Sequence, residues 1–147
     1  ELQKVLQSHL NLKTELIASG EAVAGWHPFH GIIEEKTLHR FIEIEINGET
    51  TFTADLMSIF IEHTEANLTE LQSAVFAKNL EIVKNKAHSL KGSSGNIGVI
   101  NLFERFHRLE QEVDKDNWLR TEQTIEIIFQ EFRRLKGKVA NLSELKE

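Results

Sequence analysis

Asn79-Leu80-Glu81-Ile82-Val83-Lys84-Asn85-Lys86-Ala87-His88-Ser89-Leu90-Lys91-Gly92-Ser93-Ser94-Gly95-Asn96-Ile97-Gly98 is the stretch on which the fold turns. Val83, Ala87, Leu90, Ser94 and Ile97 step by four, three, four and three, the spacing of one buried seam on an α-helix that packs along a single side. Asn79 stands where an N-cap side chain would accept from the first free amides. The seam runs on through Gly92 and Gly95, although a glycine inside a helix costs roughly 1 kcal/mol relative to alanine. Some other demand must call for them.

The same period extends outward in both directions. Leu56, Phe60, Leu71 and Val75 predict a long helix near Phe52 to Ala77. Val99, Leu102, Phe103, Phe106, Leu109 and Val113 predict another, and Asp116-Asn117 breaks it. Trp118, Ile125, Ile128, Phe129, Phe132, Leu135 and Val139 then form the apolar stripe of the last helix. Short links between four amphipathic helices favour an antiparallel, up-down-up-down four-helix bundle, and the chain is expected to be all-α. Ahead of the bundle, Phe41-Ile42-Glu43-Ile44-Glu45-Ile46 alternates like a strand before Asn47-Gly48. A lone strand would lack a partner, so a short capping helix begun near Glu34 and stopped by Asn47-Gly48 is the better reading. Leu2, Val5, Leu6, His9, Leu16 and Ile17 share one face of an extra N-terminal helix, followed by an ordered connector at Gly25-Trp26-His27-Pro28-Phe29-His30-Gly31. Two parts are therefore expected: an accessory segment over 1–31 and a main domain over 32–147.

At 147 residues and 40% hydrophobic content, the chain closes one core comfortably and not two. A formal net charge of −6 and no basic stripe argue against nucleic acid as a partner. No apolar run reaches the roughly 18 to 20 residues of a membrane span, so no membrane contact is expected. Cysteine is absent, which removes disulfides, thiolate metal sites and cysteine nucleophiles, and fits a reducing, cytoplasmic setting. The first residue is Glu1 and not methionine, so we expect an excised piece of a longer protein.

With the seam on Val83, Ala87 and Leu90, residues Lys84, His88, Lys91, Gly92 and Gly95 share the adjacent helix face. This places a histidine among cations and on a surface bare of side chains. A phosphoryl group carried on a ring nitrogen needs these features: an accessible imidazole that is nucleophilic near neutral pH, and a nearby ammonium to offset phosphoryl charge. Gly92 and Gly95 would leave room for a second protein's active site to approach.

Here the sequence resembles the histidine phosphotransfer (HPt) family of two-component phosphorelays, whose pattern is His, two residues, Lys-Gly, and a further glycine ten residues past the histidine. His88, Lys91, Gly92 and Gly98 supply it, with Ser93, Ser94 and Ile97 of types the family often has. Ile32-Ile33-Glu34 with Leu38 and Phe41, then Leu56 and Phe60, resemble the family's short first helix and the start of its second. The resemblance implies that His88 carries the phosphoryl group, taken from a receiver domain's phospho-aspartate and passed to another receiver aspartate. It implies further that Lys91 neutralises phosphoryl charge and that Glu110, at the position where the family often has Gln or Glu, orients the ring. Receivers would dock over Lys84, Gly92 and Gly95, with Thr37 and Ile44 exposed on the short helix. On this reading the chain is a phosphocarrier without its own kinase site, possessing no cofactor, the Mg²⁺ being brought by the receiver. A hybrid sensor histidine kinase is a natural parent, and such a kinase a further partner.

Other readings fit less of the sequence. Gly92-x-x-Gly95-x-x-Gly98 lacks the preceding strand and the Gly-Lys-Ser/Thr ending of a phosphate-binding loop. Glu104-x-x-His107 has di-iron spacing but occurs once, whereas such a site needs it twice plus two more glutamates. His27-x-x-His30 with His63 or His39 is a weak zinc set, so no metal is expected. His63 reads as a hydrogen-bonded residue at the edge of the core. Direct loading by an ATP-dependent kinase, and a purely structural helical module, stay open as alternatives.

Overall fold

The computed structural model describes residues 23–145, so the expected helix over Leu2–Ile17 lies outside the described residues. The chain forms two compact units, Glu1–Asp55 and Leu56–Glu147. Among the described residues there are five α-helices: α1 (Glu35–Ile46), α2 (Phe52–Phe76), α3 (Leu80–Ile97), α4 (Ile100–Glu112) and α5 (Trp118–Leu145). None of them is long and apolar enough to cross a membrane.

In the first unit, the alternating Phe41–Ile46 segment is helical as expected, and Gly48 leaves the helix at φ 123°, a conformation glycine adopts without strain. Phe29, Ile33, Leu38, Phe41 and Ile42 are buried. His27 is buried too, and its ring is fully engaged: Nδ1 accepts from the Phe29 amide at 3.1 Å, while Nε2 lies 2.9 Å from Glu45 Oε1. Neither nitrogen is left for a metal. Thr37 is buried at 4% exposure, against the expectation of an exposed docking residue. Its position one turn into the short helix, beside Leu38, puts it on the apolar face, and its hydroxyl turns back 3.4 Å to Glu34. Ile44 is half-buried.

The second unit is a bundle whose order can be read from cross-links between neighbouring helices. Lys86 of α3 donates to Asn67 of α2 at 3.0 Å and pairs with Glu70. His88 and Lys91 of α3 reach Glu110 of α4. Arg105 and Glu112 of α4 pair with Glu131 and Arg120 of α5. Lys136 of α5 returns to Glu65 of α2 at 2.8 Å, which closes the ring. In each pair joined by a turn, the two partners stand at similar distances to either side of that turn, so successive helices are antiparallel. Leu68, Leu71, Leu90, Phe106, Leu109 and Ile128 are almost wholly buried and form the core. Phe103 and Phe129 were expected among them but are half-buried. Both sit beside the stripe on the shoulder of their helices, where Phe103 stacks on His107 and Phe129 lies under the Arg133 guanidinium.

Local chemistry sets the helix ends that position the site. Asn79 caps α3, its side chain accepting from the Ile82 amide at 3.2 Å. Gly98 closes α3 at φ 80° and donates to Gly95 O, while the Val99 amide donates to Ser94 O. Only glycine takes this left-handed cap without strain, which explains the last motif glycine. Since α4 begins at Ile100, the reversal is tight and fixes the register of α3 on α4 about Val99.

Candidate functional site

His88 lies in mid-α3, with 70% of its side chain exposed. Its Nδ1 is 2.8 Å from Glu110 Oε1, and Lys91 Nζ is 2.9 Å from Glu110 Oε2. His88 and Glu110 stand eleven residues to either side of Val99, as the tight turn demands. One carboxylate thus holds the histidine with one oxygen and the lysine with the other.

The electrostatics follow from that sharing. Lys91, hydrogen-bonded to Glu110, holds its carboxyl below the ordinary value of 4.5, and the His88 hydrogen bond acts in the same direction against a cost of burial. An ionised carboxylate only accepts, so the proton of the hydrogen bond resides on His88 Nδ1. In the neutral ring the lone pair is then on Nε2, which makes no hydrogen bond among the described residues. The site offers a nucleophilic nitrogen to solvent and an ammonium close to it.

The remaining expected residues fall in different places. Lys84 is exposed one turn before His88. At Gly92 an added Cβ would meet nothing within 4 Å, so its surface is open. Gly95 is different: a Cβ there would come within 3.1 Å of the Phe103 ring, so its bareness accommodates this chain's own side chain and not an incoming partner. Sequence reasoning missed that contact because it counted faces of α3 alone. The tight turn was the available signal, since Gly95 and Phe103 stand four residues to either side of Val99. It also missed a groove of about 230 Å³ between α2 and α3, lined by Leu56, Ile59 and Phe60 on one side and Ser93 and Asn96 on the other. Ile59 is 63% exposed at its rim. His63 also lines this groove and is exposed, not at the core edge. No group of three or more potential metal ligands gathers among the described residues.

Comparison with known proteins identifies the family. The family model described as "Hpt domain" matches residues 55–144, more than half of the chain. A curated relative, multistep phosphorelay regulator 1 of Schizosaccharomyces pombe, is 25% identical over 79 residues, covering 54% of this chain. The match spans 27% of that relative's own length. No solved structure matches significantly. The chain belongs to the Hpt domain family, the phosphotransfer modules of two-component signalling.

Proposed function

We propose that the chain is a phosphorelay intermediate: His88 accepts a phosphoryl group from a receiver's phospho-aspartate and passes it to an aspartate of another receiver. In the first step the Nε2 lone pair attacks phosphorus, the bond from phosphorus to the aspartyl oxygen breaks, and the aspartate leaves as a carboxylate. The ring, now phosphorylated on Nε2, keeps its Nδ1 proton against Glu110. Reversal with a different aspartate releases the group. The observation that carries this reading is the single carboxylate of Glu110 bonded to both His88 and Lys91, which leaves Nε2 exposed as the nucleophile.

Lys91 would act twice in this scheme. One N–H holds Glu110, and its remaining charge offsets the phosphoryl oxygens as they arrive. Mg²⁺ and the acidic pocket come from the receiver, so the chain is a carrier and has no kinase site of its own. Gly92 gives the receiver a bare approach, Lys84 a charge at its margin, and the α2–α3 groove with Ile59 an apolar foothold. Transfer from a panel of phosphorylated receivers to the wild type and to His88→Gln tests the proposal. The wild type should take label and the variant none. Equal labelling would overturn it, as would labelling by a kinase with ATP when every receiver fails.

A further inference from the structure

We propose that Gly95 and Phe103 are positioning residues that set the distance between Glu110 and His88; this inference rests on the reading of His88 as the phosphoryl carrier. Along the α3–α4 seam the two helices are pinned at two levels. At one level His88 and Lys91 share Glu110 at 2.8 and 2.9 Å. At the other, nearer the turn, the Phe103 ring lies where a Cβ on Gly95 would be, with Cδ2 at 3.1 Å and Cε2 at 3.4 Å from it. A real Cβ rarely tolerates such closeness, so the ring uses the missing side chain to let the helices come together.

The ring is flanked on its own helix. His107, one turn further along α4, is stacked on it with planes 1° apart and centroids 6.1 Å apart. Glu110 follows His107 by three residues on the same helix, so a displacement of Phe103 that moves the helix moves the carboxylate with it. A helix is stiff over this span of two turns. Gly95, a glycine inside a helix with ordinary helical backbone, is otherwise a cost without a benefit, since alanine would favour the helix there. Gly92 has open space around it and Gly98 is needed for the cap, so close approach to Phe103 is the role left for Gly95.

The test combines His88 ring ¹⁵N shifts in the unphosphorylated chain with rates of phosphoryl acceptance, for Gly95→Ala, Phe103→Leu and the double variant. A shift of a few tenths of an ångström at Glu110 should move the wild-type Nδ1–H tautomer toward the mixture of a free imidazole. Acceptance should slow by ~5-fold, well short of the loss that a full ångström of misplacement brings. Leucine at 103 leaves room for the alanine methyl, so the double variant should lie closer to wild type than either single one. Unchanged nitrogen shifts in both single variants would overturn the proposal, including the case where rates fall, because the effect would then lie in docking. If Gly95→Ala fails to fold, Phe103→Leu decides alone by the same shifts. If the wild type accepts no phosphoryl group, the carrier reading fails, while the nitrogen shifts still decide the positioning.

Discussion

Glu110 divides its two oxygens between an imidazole and an ammonium, so its protonation governs both. Removing one partner exposes the other's contribution. Lys91→Ala takes away the main cause of the lowered carboxyl, and titration of Glu110 by NMR should then rise toward the ordinary 4.5. Glu110→Gln keeps an acceptor near Nδ1 but loses the charge, and phosphoryl acceptance should fall by ~10-fold, within the range seen for carboxylates that orient a histidine. Because the folded carboxyl is lowered, the bridge stabilises the fold fully above pH 4.5 and loses that contribution only as the pH falls through the lower folded value. The stability difference between wild type and Glu110→Gln in urea should therefore shrink on acidification below 4.5, and a difference that grows would contradict the linkage. At this scale His88 and Lys91 were legible in the sequence, because i and i+3 spacing fixes a shared face, whereas Glu110, on the next helix, came from the family resemblance. Thr37 was not, because burial of one residue beside a stripe depends on packing that a face count does not contain.

The glycines of α3 look alike in sequence and behave differently in the folded helix. Gly92 sits on an open helical surface, so Gly92→Ala should stabilise the chain by about 0.5 to 1 kcal/mol in urea denaturation. Gly98 holds φ 80°, and Gly98→Ala should destabilise it by about 1 to 2 kcal/mol. Opposite signs in one helix would confirm that the cap and the open surface make separate demands; equal signs would refute it. Helix existence and ends were readable from periodicity, from Asn79 and from Asn47-Gly48, since capping and backbone conformation are local. The partner of Gly95 was not, because a contact between helices needs register, and register came from the two-residue turn whose meaning depends on Gly98 closing it. The alternation at Phe41–Ile46 shows the same principle: a strand-like pattern yields to helix where the described residues hold no second strand to pair with it.

Taken whole, the bundle rests on its buried stripe more than on its ion pairs. Phe106 is fully buried, and Phe106→Ala should cost about 3 to 5 kcal/mol. Lys136, half-exposed in its pair with Glu65, should cost under ~1 kcal/mol as Lys136→Ala, although that pair closes the ring of helices. Denaturation midpoints that reversed this order would show that charge and not apolar burial holds α5. The four-helix architecture was legible for that reason: amphipathic stripes of bundle length joined by short links have few other ways to bury their apolar faces. Each level serves the placement of one nitrogen. Phosphorylating the ¹⁵N-histidine-labelled chain with a phosphorylated receiver, and locating the new ³¹P–¹⁵N coupling, reads that nitrogen directly. We predict coupling to Nε2 of His88, with Nδ1 still protonated; coupling to Nδ1, or to any other histidine, would contradict the account.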